Sequence, residues 1–114
     1  HGRAEDIGQD SKYREKFDIA VSRAVAQMNV LSEYVLPLVK SGGVFAAYKS
    51  GDYEDELNNA KKAVKLLGGG KTECADFELP GTDMKRSIIL INKEKTSPAK
   101  YPRKAGTPSR EPII

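Results

Sequence analysis

The stretch Leu38-Val39-Lys40-Ser41-Gly42-Gly43-Val44-Phe45-Ala46-Ala47-Tyr48-Lys49 (residues 38–49) decides the fold, because a helical pattern and a strand pattern meet in it at two glycines. Asn29 is the predicted N-cap of a helix over about residues 30–40. Pro37 lacks an amide donor and predicts a kink or a first-turn shift in that helix. Gly42-Gly43 is predicted to end the helix. The run Val44-Phe45-Ala46-Ala47-Tyr48-Lys49 then predicts a second buried strand.

The same alternation continues on both sides of this stretch. Residues 17–22 predict a buried strand, and a stripe of Leu57, Ala60, Val64 and Leu67 predicts a helix over about residues 53–67. Residues 72–79 alternate loosely, as expected for a strand near a sheet edge, whereas residues 86–93 hold a continuous apolar run. We therefore expect an α/β fold with three parallel strands and a closing antiparallel pair.

Length and composition exclude several classes of protein. The chain has 114 residues, which suffice for one domain, and it is 39% hydrophobic and 31% charged, a balance typical of a soluble protein. No run approaches the roughly 18 apolar residues of a membrane helix, and the polar start shows no signal peptide, so we expect no membrane partner and a cytoplasmic location.

Cysteine and histidine, which form disulfides and zinc sites, are nearly absent. The chain has one cysteine, Cys74, and one histidine, His1. This excludes a disulfide framework, a cysteine-based metal cluster, a histidine triad and a zinc finger within the chain, and we expect no metal. Cys74 is predicted to be an inert, buried strand residue.

The net charge of +3 is unevenly distributed. Residues 92–114 sum to +4 and contain four of the six prolines, whereas residues 1–91 sum to −1. We therefore divide the chain into a body, residues 1–95, and a basic proline-rich tail, residues 96–114. Basic tails commonly contact nucleic acid or anionic lipid, and a merely solvated terminus is the alternative.

The predicted architecture is incomplete, because about four strands and two long helices do not cover both faces of an open parallel sheet. It corresponds to the second half of a doubly wound domain. We expect either a second copy of the chain or a missing N-terminal half to complete the sheet.

Several blocks of sequence together resemble one family, the RsmG (GidB) ribosomal RNA guanine-N7 methyltransferases. The resemblance covers nearly the whole chain, in the family's order, and is specific because the blocks occur together. The matching blocks are Arg3-Ala4-Glu5-Asp6, Phe17-Asp18, Ser22-Arg23-Ala24-Val25-Ala26, Leu36-Pro37-Leu38-Val39-Lys40 with Gly42-Gly43, Phe77-Glu78-Leu79-Pro80-Gly81, and Lys100-Tyr101-Pro102-Arg103-Lys104-Ala105-Gly106-Thr107-Pro108.

The resemblance implies the C-terminal half of a Rossmann-like class I methyltransferase that uses S-adenosylmethionine. Its implied reaction is in-line methyl transfer, without a general base, to N7 of a guanine in the 530 loop of 16S ribosomal RNA in the small subunit. The family's glycine-rich cofactor loop and the acidic residue after its second strand are not among these 114 residues. The half-chain is therefore expected to lack two elements that hold the cofactor.

The resemblance also implies the site residues. It assigns Ala4, Glu5 and Arg23 to the cofactor site, with Arg23 facing the methionine carboxylate of the cofactor or a phosphate of the RNA. No residue is assigned as a catalytic acid or base. The residues assigned to RNA are Arg3, Lys49, Lys100, Tyr101, Arg103 and Lys104.

Two other functions remain open at the level of sequence. The basic tail and the missing loop also suit a non-catalytic RNA-binding or interaction module. A different doubly wound enzyme, such as a dinucleotide-dependent reductase, is weakly disfavoured because no G-x-G-x-x-G loop is present.

Overall fold

The computed structural model describes residues 8–23, 26–50, 53–78, 85–104 and 106–114. The described strands are β1 (Phe17–Ser22), β2 (Val39–Ser50), β3 (Gly69–Glu78) and β4 (Lys85–Lys93). The described helices are α1 (Met28–Val35), a 3-10 helix (Leu36–Leu38), α2 (Glu54–Leu66) and a short α3 (Thr107–Arg110).

The four strands form one sheet in the order β1-β2-β4-β3. β1 pairs with β2 in parallel, and β4 runs antiparallel to both of its neighbours, β2 and β3. β3 therefore points in the same direction as β1 and β2 but lies at an edge of the sheet. The edge position predicted for the strand over residues 72–79 and the antiparallel closing pair are confirmed.

The helix predicted over residues 30–40 is shorter than expected, and its predicted cap is wrong. α1 begins at Met28 after the N-cap Gln27 and ends at Val35, where Pro37 enters a 3-10 turn. Asn29 lies inside the helix, and its side chain donates to the carbonyl oxygen of Ile113. β2 starts directly after the 3-10 turn, so Gly42 takes its positive φ within the irregular beginning of β2 and not at a helix end.

The turn between α2 and β3 requires Gly68. Its φ is +93°, and a Cβ there would overlap the backbone carbonyl of Lys95. The amides of Glu94 and Lys95 both donate to the carbonyl oxygen of Gly68. This contact joins the end of α2 to the end of β4, so any other residue would disrupt both.

The hydrophobic core lies on one face of the sheet. Phe45 and Ala47 of β2 and Ile89 and Ile91 of β4 point to this face and are fully buried. Both longer helices cover it, contributing the buried side chains Met28, Leu31, Ala60, Ala63 and Val64. We call it the covered face.

The opposite face is much less protected by the described residues. On β1, Phe17, Ile19 and Val21 alternate onto this face and are 43%, 65% and 57% exposed. No described helix contributes to the core on this side. We call it the open face. Cys74 lies opposite Ile89 on the covered face, yet it is exposed because β3 is an edge strand, so the prediction that it is buried was wrong.

The described residues of the C-terminal segment, 96–104 and 106–114, pack on the body. Ser97 Oγ donates to the carbonyl oxygen of Leu67 at 2.6 Å, and Arg14 donates to the carbonyl oxygens of Ser97, Pro98 and Tyr101. The segment then follows α1 from its end toward its beginning. The division of the chain into a body, residues 1–95, and a separate tail, residues 96–114, stays a prediction. Within the described ranges, no helix is long and apolar enough to cross a membrane.

Candidate functional site

The sheet has two ends, and the candidate site lies at the end where β1 and β2 finish. We call this end the carboxyl edge and the opposite end the amino edge. Arg23 follows the last residue of β1, and Lys49 is the penultimate residue of β2. Because parallel strands pair in register from Ile19↔Val44 to Ser22↔Ala47, both residues reach the carboxyl edge. Open α/β sheets bind ligands at this edge.

Arg23 offers an exposed cation at this edge. Its guanidinium carbon lies 5.1 Å from the centroid of the Tyr48 ring, within the range of a cation–π interaction. No described carboxylate forms an ion pair with Arg23. The guanidinium is therefore contacted on one side by an aromatic ring and is not paired with a carboxylate of the described residues.

Lys49 occupies a different environment, although it follows Tyr48 directly. Its side chain is only 7% exposed, and Nζ donates to the carbonyl oxygen of Ala26 at 2.6 Å. The same Nζ lies 2.6 Å from Glu56 Oε2 on α2. Glu56 Oε2 is buried and has no aligned hydrogen bond, so the ion pair with Lys49 balances its negative charge in the described structure. Contact between Lys49 and RNA stays a prediction.

Two residues of this arrangement, Tyr48 and Glu56, were not predicted from the sequence. Glu56 looked like one of three acids that complement the dipole at the start of a helix. Tyr48 looked like an ordinary strand residue. The only sequence signal was the position of Tyr48 near the end of a strand and of Glu56 in the first turn of a helix.

A second polar group lies further along the same edge on the covered face. Ser87 Oγ donates to Asp76 Oδ1 at 2.7 Å, across the pairing of β3 with β4. Cys74 and Asp76 also raise the pKa of Tyr53 to about 12, mainly through a side-chain hydrogen bond with Cys74.

The predicted tail residues lie elsewhere. Tyr101 is 7% exposed and belongs to the core, while Lys100 Nζ lies 5.2 Å from its ring centroid. Arg103 binds the buried carboxylate of Glu33 through Nε and Nη2, with distances of 2.8–3.2 Å. Glu33 raises the pKa of Arg103. Lys104 is exposed.

These residues approach the body near the amino edge. Arg14, which binds the carbonyl oxygen of Tyr101, precedes Glu15, and Glu15 pairs with Lys93 beside the start of β2. The structure thus brings Arg23 and Lys49 to one edge but not Lys100, Tyr101 and Arg103. Arg3, Ala4 and Glu5 lie outside the described residues.

The described residues fit one part of an S-adenosylmethionine molecule. An exposed guanidinium at the carboxyl edge suits the carboxylate of the methionine portion, because Arg binds carboxylates in a bidentate manner. For metals, no group of three or more His, Cys, Asp or Glu side chains suited to an ion occurs among the described residues.

The chain is similar to one protein family and to curated members of it. A family model described as rRNA small subunit methyltransferase G, GidB, matches residues 1–88. A protein named Ribosomal RNA small subunit methyltransferase G from Lactobacillus helveticus (strain DPC 4571) is 56% identical over 113 residues, covering 99% of this chain and 47% of that protein. One of the same name from Alkaliphilus oremlandii (strain OhILAs) is 57% identical with the same coverage. The chain spans about half the length of these relatives.

A solved structure supports the fold. A SAM-dependent O-methyltransferase from Thermotoga maritima superposes with a TM-score of 0.50 at 13% identity, covering 82% of this chain and 39% of that one. This likeness confirms the Rossmann-like methyltransferase fold that the sequence predicted.

Proposed function

The chain belongs to the rRNA small subunit methyltransferase G (GidB) family, and from this membership we propose that it forms part of an enzyme that methylates small-subunit ribosomal RNA. The proposed methyl donor is S-adenosylmethionine, and the proposed acceptor is N7 of a guanine in the 530 loop of 16S ribosomal RNA. The proposed location is the cytoplasm.

The observation that carries this proposal is the 56–57% identity to ribosomal RNA methyltransferases over 99% of the chain. The geometry supports it, because Arg23 lies at the edge where α/β folds bind ligands. The activity belongs to a protein about twice as long, so this chain is proposed to supply only part of the site.

The proposed methyl transfer to guanine N7 needs no catalytic acid or base from the protein. Guanine N7 carries a lone pair and no proton in its reactive tautomer, so it needs no general base. When bound, S-adenosylmethionine supplies a methyl group on a positively charged sulfur, and the cofactor thus provides the reactivity. The work left to the protein is orientation, which supplies about 7–11 kcal/mol in favourable cases. A-form RNA buries N7 in its deep groove, so the target guanine must be unpaired or splayed out.

Each site residue has a proposed role. Arg23, with Ala4 and Glu5, belongs to the cofactor site, where its guanidinium binds the methionine carboxylate. Arg3 and Lys49 are proposed to lie toward the RNA at the same edge. The basic residues of the C-terminal segment, Lys100, Arg103 and Lys104, with Tyr101, are proposed to contact RNA at a distance from the methyl-transfer site.

The exposed side of β1 has a proposed partner as well. Its apolar side chains Phe17, Ile19 and Val21 face outward, a costly arrangement for a free surface. We expect the remaining length found in the relatives, or a second copy, to complete the sheet at β1 and cover these side chains on the open face. Size-exclusion chromatography with light scattering distinguishes these outcomes, because only the second makes a dimer of this chain.

The test uses a grafted protein, in which this chain replaces the matching 113-residue segment of the Lactobacillus helveticus relative. Undermethylated 30S subunits are incubated with labelled S-adenosylmethionine, and the product is mapped by strand scission at N7-methylguanine. We expect one labelled guanine in the 530 loop. RNA binding without methyl transfer, where the parent relative is active, would favour a non-catalytic module.

Arg23→Ala in the grafted protein tests the site. We expect methylation to fall at least 100-fold with an unchanged melting temperature, because an exposed guanidinium contributes little to stability. Lys40→Ala, which removes an exposed cation at the opposite end of β2, is the matched control. Full activity of Arg23→Ala would exclude Arg23 from the cofactor site.

A further inference from the structure

We propose that two consecutive residues of β2, Tyr48 and Lys49, form a clamp that positions Arg23 for its ligand. Tyr48 holds the guanidinium, and Lys49 holds the backbone at Ala26, three residues further along the chain. Tyr48 and Lys49 act as positioning residues. This inference rests on the proposed function, since it concerns the same site.

The alternation of a strand makes the clamp possible. Successive side chains of β2 point to opposite faces, so Lys49 points to the covered face and Tyr48 to the open face. The cross-strand partners agree, because Lys49 pairs with the buried Ser87 and Tyr48 with the half-buried Ile88. Tyr48 therefore contacts Arg23 from the open face, and Lys49 contacts Ala26 from the covered face.

The covered side of the clamp is rigid. Lys49 Nζ is within 2.6 Å of both the Ala26 carbonyl oxygen and Glu56 Oε2, and its side chain is 7% exposed. Burial on this scale fixes the ammonium, because any movement would leave the buried Glu56 oxygen uncompensated. Ala26 is thus tied to α2 through Lys49.

The open side of the clamp restricts Arg23 without neutralising it. The Tyr48 ring centroid lies 5.1 Å from the guanidinium carbon, so Arg23 rotamers that would overlap the ring are excluded. A cation–π contact uses the flat face of the guanidinium and leaves its N–H groups available for hydrogen bonds. A long arginine side chain loses considerable rotamer freedom when it binds a ligand. Because stacking on Tyr48 already restricts the rotamers of Arg23 in the free protein, less rotamer entropy is lost when the ligand binds.

The experiment is a double-mutant cycle in the grafted protein. Tyr48→Leu is expected to raise the Kd and KM for S-adenosylmethionine about tenfold, with kcat for saturating cofactor changed less than threefold. Tyr48→Phe keeps the ring and should stay within twofold of the parent. Tyr13→Leu, at an exposed tyrosine two residues before Glu15 at the amino edge, is the matched control.

Coupling to Arg23 separates positioning from general damage. If Tyr48 acts through Arg23, Tyr48→Leu should cause no further loss in an Arg23→Ala background. Lys49→Arg, which keeps the charge, should retain most of the affinity that Lys49→Met loses. Fully additive losses, or an equal loss in Tyr48→Phe and Tyr48→Leu, would overturn the proposal.

A readout that needs no activity keeps the inference distinct from the proposed function. Relaxation of the Arg23 Nε–Hε group, measured by NMR in the grafted protein, should show a lower order parameter in Tyr48→Leu than in the parent. An unchanged order parameter would overturn the clamp even if the enzyme is fully active. An inactive parent with the expected change in order would instead count against the proposed function alone.

Discussion

Lys49 and Lys93 are two buried lysines at opposite edges of the same sheet, and both point to the covered face. Lys49 is 7% exposed and binds one carbonyl and Glu56, while Lys93 is fully buried and binds Glu15 and the carbonyl oxygens of Leu36 and Val39. The register places the pairs Lys49↔Ser87 and Val44↔Asn92 five residues apart, about 16 Å along the sheet.

The two lysines differ in what they hold together. Lys93 joins the 3-10 turn, the start of β2 and, through Glu15, the amide of Ser97 in the C-terminal segment. Lys49 joins α2 to the chain beside Arg23, which is exposed. The amino edge is thus a closed structural junction, whereas the carboxyl edge presents a cation to solvent. The same residue type therefore closes a junction at one edge and lies beside an exposed arginine at the other.

The strongest test of this contrast is Lys93→Met in the grafted protein. It leaves the Glu15 carboxylate and two backbone carbonyls without their shared donor, so we expect a loss of about 3–5 kcal/mol in the free energy of unfolding. Urea denaturation measures it. Lys95→Met, at an exposed neighbouring lysine, should change it by less than about 0.5 kcal/mol. Equal effects of the two variants would mean that the junction is unimportant.

Glu33→Gln tests how the C-terminal segment is attached. Glu33 is 1% exposed and accepts from both the backbone amide and the guanidinium of Arg103. Losing these charge-assisted bonds should cost about 1.5–3 kcal/mol of unfolding free energy, measured by urea denaturation. Glu73→Gln removes a charge from an exposed pair with Lys71 and should cost at most about 1 kcal/mol. A similar cost for both would contradict an anchoring role for Glu33.

The exposed cations of the same segment should affect binding and not stability. Lys100→Gln with Lys104→Gln removes two proposed phosphate contacts, so the slope of log K against log salt for RNA binding should fall by about 1.4–1.8. Fluorescence anisotropy with an RNA fragment, recorded from about 50 to about 300 mM salt, measures this slope. The melting temperature should not change. An unchanged slope would assign the segment to packing alone.

The smallest expected effect is a pH dependence at the amino edge. Burial lowers the pKa of Lys93, an effect that Glu15 partly opposes. Between this lowered pKa and the unfolded value near about 10.4, the unfolded chain binds more protons, so stability rises with pH relative to a variant without the lysine. The destabilisation by Lys93→Met should therefore grow as the pH is raised toward 10. A constant or shrinking difference would contradict the lowered pKa.

The sequence predicted the fold well where local patterns dominate. The strand over residues 17–22 and the helix over residues 53–67 were found nearly to the residue, and the closing antiparallel pair was expected from its short connection. The site was predicted only in part. Arg23 came from family resemblance, while Tyr48 and Glu56 were missed because nothing in the sequence shows which side chains meet across a strand and a helix.

Asn29 and Tyr101 show how contacts between distant parts of the chain decide what a local pattern cannot. Asn29 is a good cap by residue type, yet its amide binds the Ile113 carbonyl oxygen, which is 84 residues away in the chain. Tyr101 lies in a basic, proline-rich segment, yet it is buried in the core. In both cases a long-range contact outweighs a local preference worth about 1 kcal/mol or less.

The sequence by itself determined the order of strands and helices, the family and the location of Arg23 after β1, because hydrophobic period, glycines and short motifs are local properties. Only the tertiary structure decided which lysine is buried, which arginine remains exposed and which edge is closed. Those outcomes depend on how far charges are removed from water and on partners from distant elements, and burial and pairing exist only once the sheet and helices are packed together.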